Sequence, residues 1–458
     1  MSTVRRILLD PSSPIGPPGG SLLSAFVSAL RTPDLRRKIL IALGLVALYR
    51  LGATVPSPGV DYGNVQACVD QLAGSEQAGI YSLINLFSGG ALLQLSVFAI
   101  GIMPFITASI IVQLLTVVIP RFEELRKEGQ SGQAKMTQYT RYLAVALAVL
   151  QATGIVALAA RGQLLQGCSE PILADDSIFA MVVIVLVMTA GAAVVMWFGE
   201  LITERGVGNG MSLLIFSGIA AALPSEGRMI LESRGGLVFA IVCVVALVLI
   251  TGVVFIEQGQ RRIPVQYAKR MVGRRMYGGS STYLPLKVNQ AGIIPVIFAS
   301  SLLYLPNLVA QLTGATTNPD PSWWQRIINE YLVNPNNPVY IAIYFALIVF
   351  FVFFYVAITF NPEERADEMK KYGGFIPGIR PGRPTAEYLS FVLNRITVPG
   401  SIYLGLIATL PNFFLSGSQT ASSIFGGAAV LILVSVALDT VKQIESQLMQ
   451  RNYEGFLK

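Results

Sequence analysis

Gly101-Ile102-Met103-Pro104-Phe105-Ile106-Thr107-Ala108-Ser109 and Gly292-Ile293-Ile294-Pro295-Val296-Ile297-Phe298-Ala299-Ser300 agree at Gly, Ile, Pro, Ile, Ala and Ser, six positions of nine. Each phrase sits near the start of an uncharged run long enough to cross a bilayer, which takes ~20 apolar residues. Such runs fall at 39–55, 95–119, 142–160, 177–199, 206–225, 235–256, 289–312, 338–359, 396–415 and 424–438, ten in all. The two copies stand in the second and the seventh run. Five is odd, so the second half is expected to cross the membrane upside down relative to the first, with a central path where the halves meet. Shared spacing and equal span count favour duplication over chance likeness between apolar helices. Gly allows close approach and Pro bends a helix, so both copies are expected as kinked helices that can move against each other.

Composition agrees with a membrane protein. Hydrophobic residues are 53% of 458 and charged residues 13%, about half the ~25% of a soluble domain. Histidine is absent, and Cys68, Cys168 and Cys243 lie far apart with neither metal spacing nor a disulfide framework. Zinc chemistry, haem ligation and His-dependent triads are thereby excluded or nearly so. No cofactor is expected.

Lys and Arg set the orientation. With the N-terminus inside, 28 of them fall on the cytoplasmic side and four (Arg161, Arg228, Arg234, Arg326) opposite, with Arg50 near the outer end of the first span. Both termini are expected in the cytoplasm, in a cell (inner) membrane. From Gln77 to Pro120 no charge occurs, room enough for two spans, yet residues 53–76 carry no Lys or Arg while 121–141 carry five. Flanks on opposite sides require an odd number of crossings. One full span is therefore expected, plus a re-entrant piece at about 80–94, whose Asn85, Ser88, Gly89, Gly90 and Gln94 suit a water-filled cavity better than lipid. A loop lying at the interface is an equal reading of the same residues.

These assignments divide the chain into a tail with an interfacial helix (1–38), an N-terminal half (39–225), a C-terminal half (226–438) and a cytoplasmic tail (439–458). The interior lacks what ion-coupled carriers need, since Glu200, Glu204, Glu257 and Asp439 all fall at span ends. An ion-coupled secondary transporter with inverted repeats is thus the weaker alternative. An intramembrane protease lacks its Ser-His pair or facing aspartates. No phosphate-binding Gly-Lys loop is present, so energy must come from a partner. Two cytoplasmic loops, 257–287 and 361–388, carry paired charges, glycines and Pro377-Gly378-Ile379-Arg380-Pro381-Gly382. Topology and anionic lipid explain positive loops in general; loops this long and elaborate suit a docking platform for an acidic or RNA-bearing partner.

Six segments together resemble the SecY family, the channel subunits of bacterial Sec protein translocases. They are Ser96 to Leu115, Asn85 to Ala91, Gly199 to Gly210 (Gly-Glu-Leu-Ile-Thr-Glu-Arg-Gly-Val-Gly-Asn-Gly), both basic loops, and Gln447 to Gly455. A longer N-terminal tail and Met211, where the family commonly has an aliphatic residue, depart from it. The resemblance implies an all-α polytopic fold of ten transmembrane helices in two inverted five-helix halves. Unfolded secretory polypeptides and signal sequences would thread between the halves, and membrane segments would leave sideways into lipid. It implies a pore ring of Ile102, Ile106, Met211, Ile215, Ile293, Ile297 and Ile432. It implies a plug of Ile84, Asn85, Leu86, Phe87, Ser88, Gly89, Gly90, Ala91 and Leu92. Thr107, Gln113 and Asn289 would form a polar cluster at a lateral gate, worth only ~0.6 kcal/mol of closure. Arg261, Arg262, Lys269, Arg270, Arg274, Arg275 and Arg380 would meet the ribosome or the SecA ATPase, and SecE and SecG would complete the complex. No residue is implied to be catalytic.

Overall fold

The computed structural model describes residues 32–72, 91–92, 94–160, 162, 172–175, 177–267, 270–272, 275–277, 281–312, 322–333, 337–415 and 427–455. The expected interfacial helix, plug residues Ile84 to Gly90, and the turn between the last two apolar runs lie outside them.

Helix α1 (Pro33–Thr54) leads to a short outer helix α2 (Tyr62–Leu72). Then come α3 (Met103–Val118), α4 (Pro120–Lys127), α5 (Gln130–Ala160) and α6 (Ile178–Arg205). Helix α7 (Gly210–Gln258) is interrupted at Gly235, whose φ of 82° and ψ of 168° are non-helical. That break falls where the fifth and sixth apolar runs were expected to part. The remaining helices are α8 (Ile294–Leu312), α9 (Trp323–Ile328), α10 (Pro338–Thr359), α11 (Pro362–Lys371), α12 (Arg383–Leu415) and α13 (Gly427–Gly455). Among the described residues, five helices are long and apolar enough to cross a membrane: Gln130–Ala160, Ile178–Arg205, Gly235–Gln258, Pro338–Lys371 and Arg383–Thr409. Met103–Thr116 with Pro120–Lys127 forms a bent sixth, and Gly210–Pro224 and Ile294–Leu303 are shorter apolar helices.

The two copies of the repeated phrase adopt one local geometry. Gly101 and Gly292 both take the left-handed conformation, at φ 61° and 64°, which costs glycine nothing and any other residue strain. Each helix starts two residues later. Pro104 and Pro295 therefore lie in the first turn, where a missing N–H leaves no bond unmade. The expected kink is corrected: these prolines start helices instead of bending them. The backbone ahead of α3 is irregular, with Leu95 at φ 46°. The two repeat helices α3 and α8 pack against each other, and both contact α5.

The all-α expectation also needs correction. Strands β1 (Gln260–Tyr267), β2 (Arg270–Val272), β3 (Arg275–Tyr277) and β4 (Ser281–Lys287) fill the first basic loop, and β5 (Gly374–Phe375) lies in the second. Strand β1 pairs antiparallel with β4 from Gln260↔Lys287 to Gln266↔Ser281, and its far end pairs with β5 at Gln266↔Phe375 and Tyr267↔Gly374. The pattern is alternating: Ile263 and Val265 are buried between exposed Arg262, Pro264 and Gln266, the period-2 signature of a half-buried strand.

The cysteine expectation is corrected as well. Cys68 is disulfide-bonded and fully buried, and Cys243 is free; Cys168 lies outside the described residues. Separation along the chain does not measure separation in space. Here the α1–α3 and α5–α6 connections are drawn together by backbone bonds from Asp61 N–H to the Ile172 carbonyl and from Ala174 N–H to the Gly59 carbonyl, both 3.0 Å.

Candidate functional site: an aliphatic waist under a basic sheet

Helix α6 runs to a C-cap at Gly206, Gly208 turns the chain at φ 91°, and the Asn209 side chain caps α7 by accepting from Met211 N–H at 3.1 Å. The Thr203 hydroxyl ties the hairpin shut, donating to the Gly199 carbonyl at 2.8 Å and accepting from Gly210 N–H at 2.9 Å. Glycine at 199 leaves room for close packing: a methyl group there would push against the Met211 sulfur and lie 3.2 Å from Ile102 Cδ1. The hairpin thus carries Met211 and Ile215 up against Ile102.

All seven residues expected in the pore ring join one apolar cluster. Ile102, Ile215, Ile293, Ile297 and Ile432 are buried within it, and Ile106 and Met211 pack against it. The repeat explains four of them. Ile106 N–H donates to the Ile102 carbonyl at 3.2 Å, and Ile297 N–H donates to the Ile293 carbonyl at 3.3 Å. Each copy therefore presents one isoleucine at its helix start and a second one turn later, on the same face. Ile432, 1% exposed, comes from α13. The arrangement offers dispersion contacts and no polar group, so it can hold back water and can bind nothing selectively.

Among the described residues no hydrogen bond joins the three polar residues expected at the gate. Thr107 donates to the Met103 carbonyl in its own helix at 3.0 Å, the usual back-bond of a helical threonine. Gln113 donates to Ser109 Oγ one turn back at 3.3 Å. Asn289 donates to Glu257 Oε1 at 2.5 Å and to the Gly292 carbonyl at 3.1 Å. Glu257 stands at the end of its helix and is 8% exposed, the one charged residue among the buried polar side chains described. It stands beside the base of the basic sheet, so it does not revive the transporter reading, which needs a charge at mid-membrane.

On the side of the basic loops Arg261 and Arg262 lie exposed on β1, with the Arg262 guanidinium 4.8 Å from the centre of the Tyr283 ring. Arg380 is exposed in a turn flanked by Gly378 (φ 83°) and Gly382 (φ 102°), and its carbonyl accepts from the Thr385 hydroxyl at 2.8 Å. Arg270 and Arg275 belong to the β2–β3 pair, while Lys269 and Arg274 lie outside the described residues. Strand β5 went unseen in the sequence because two residues are too few to carry a period; its signal is Gly374. A methyl there would come within 3.1 Å of the Tyr267 ring and 3.3 Å of Val265, so any larger residue would press on the pairing of the two loops. Elsewhere on this side, Lys127 bonds Glu123 at 2.8 Å and holds that carboxyl below its usual range. Both are fully exposed, and such a pair adds little stability.

A family model described as SecY matches residues 96–441. A protein translocase subunit SecY from Mycobacterium tuberculosis is 72% identical over 444 residues, covering 95% of this chain and all of the relative. Among solved structures, one titled for the plug domain of SecY, which stabilises the closed state of the translocation channel and maintains a membrane seal, superposes with a TM-score of 0.61 at 19% identity, covering 90% of this chain and 92% of the other. The Sec61 channel of a canine ribosome–channel complex superposes with a TM-score of 0.56 at 17% identity, with the same coverage. With the family pattern running through both copies of the repeat and a relative this similar along nearly the whole length, the chain belongs to the SecY family of protein translocase subunits.

Proposed function

We propose that the seven clustered aliphatic residues are the collar of this protein-conducting channel, and that the packing of α3 against α8 is its lateral gate. A collar serving every secretory sequence must fit loosely around any side chain and hold none. Isoleucine and methionine do this: they exclude water when the channel is idle and yield when a chain arrives. The observation carrying this reading is the convergence of equivalent isoleucines from both repeat copies on one dry cluster. With the polar donors engaged elsewhere, gate closure rests on apolar contact, which a hydrophobic signal sequence can replace contact for contact. The chain works without chemistry of its own, as ten spans in two inverted halves in the cell membrane, both termini cytoplasmic. SecE and SecG complete it, and the SecA ATPase or a ribosome docks on the basic sheet.

The deciding experiment stalls a secretory chain in the reconstituted complex, with single cysteines at 102, 215 and 432 and Cys243 replaced by Ser. Disulfide cross-links from all three positions to the same stretch of cargo are expected. Cross-links at none of them, with the cargo protected from protease, remove the collar.

The plug reading rests on the re-entrant composition and on its described end. Ala91 and Leu92 are buried, and the Ala91 carbonyl accepts from Ser96 N–H at 3.1 Å just ahead of the gate helix. Deleting residues 84–92 is expected to leave the reconstituted channel leaking ions across a planar bilayer. Conductance equal to that of the intact channel, at equal insertion, counts against it.

A further inference from the structure

We infer that Asn289 and Glu257 couple the basic docking sheet to the gate, making the base of the hairpin and the start of α8 one rigid corner. This rests on the docking reading above and adds the path by which docking reaches the waist.

The hairpin leaves the membrane at Gly259 and returns at Val288, and Val288 N–H donates to the Gly259 carbonyl at 3.0 Å. Asn289 is the next residue. Its amide reaches back to Glu257, in the last turn before the hairpin, and forward to the carbonyl of Gly292, the left-handed glycine that opens the gate helix. Ile293, in the collar, follows immediately. One buried side chain, 3% exposed, therefore binds the end of α7, the foot of the sheet and the turn that aims the collar. Helix α12 backs the corner closely: a methyl on Gly400 would lie 2.5 Å from the Val288 carbonyl. Among the described residues, Asn289 Oδ1 and the Tyr403 hydroxyl are buried with no hydrogen-bond partner, so the corner is not bridged by a second side-chain bond to Asn289 Oδ1. Severing a buried hydrogen bond to a carboxylate leaves a polar group unpaired, the costly case. A displacement of the sheet by a docked partner has to carry Ile293 with it.

The test uses the complete reconstituted complex, with a donor dye on α3, an acceptor dye on α8, and purified SecA ATPase as the docking probe. Wild type is expected to bind the ATPase and change energy transfer across the gate. Asn289→Ala is expected to bind the ATPase with affinity within about threefold of wild type while the gate response falls by about fivefold or more, the low end of site-to-site coupling. Glu257→Gln keeps a carbonyl acceptor for Asn289 and should respond as wild type does. Should Asn289→Ala fail to fold, hydrogen exchange in wild type decides: docking should alter exchange at the amides of residues 293–297. An undiminished gate response in Asn289→Ala, or unchanged exchange at those amides on docking, overturns the coupling. A wild-type channel that does not bind the ATPase overturns the docking reading, and this inference with it.

Discussion

Arg380→Glu is expected to lower ATP-driven translocation by about 100-fold while leaving the channel inserted and stable. The side chain is exposed and makes no described ion pair, so folding does not depend on its charge. Its position, by contrast, is held firmly. Glycines at 378 and 382 set the turn, and the Thr385 hydroxyl holds the Arg380 carbonyl. A fixed, solvent-facing cation suits an acidic partner. Reversing its sign replaces attraction with repulsion, which costs several kcal/mol across an interface; 100-fold corresponds to about 2.7 kcal/mol. Translocation of a radiolabelled secretory protein into membrane vesicles measures the loss, and Arg380→Lys, which keeps the charge, should retain much of the activity. Normal secretion by the Glu variant would remove Arg380 from the docking surface.

The second large effect is structural. Gly210→Ala is expected to destabilise the protein by ~2–3 kcal/mol, the upper part of the range for overpacking, and to cripple translocation. A methyl at 210 would collide with the Gly199 carbonyl and lie 2.8 Å from Ile202 Cβ. Neither atom can retreat, because Thr203 bonds the Gly199 carbonyl on one side and Gly210 N–H on the other. Gly199→Ala makes the instructive contrast. Its methyl meets chiefly the end of the Met211 side chain, which has rotamers to spare, so a loss under ~1 kcal/mol is expected. Thermal unfolding of the two purified variants in detergent measures the difference. Equal midpoints would show that the α6–α7 hairpin is not the rigid support argued here.

Much of this molecule is legible in its residues. The repeated Gly-Ile-x-Pro-x-Ile phrase marked two places of equivalent local geometry, because glycine and proline restrict the backbone locally, although they start helices there instead of kinking them as expected. The resemblance implied seven ring residues, and all seven belong to one large apolar cluster, five buried in it and two packed against it. The β1–β4 hairpin was there to be read, since Arg262 to Gln266 alternates polar and apolar, but the helical character of the rest of the chain hid it.

Local chemistry thus decided the apolar runs, the charge bias and the geometry of the repeat, for these follow from side-chain transfer energies and backbone sterics within a few residues. Tertiary structure alone decided which polar groups meet. Thr107 and Gln113 satisfied themselves within one turn, while Asn289 found Glu257 thirty-two residues away. It likewise joined β5 to β1 across a hundred residues and placed Cys68 in a disulfide. Hydrogen bonds and thiol pairing act over about three ångströms, and a sequence records order along the chain, while distances of that size between remote residues exist only once helices have packed.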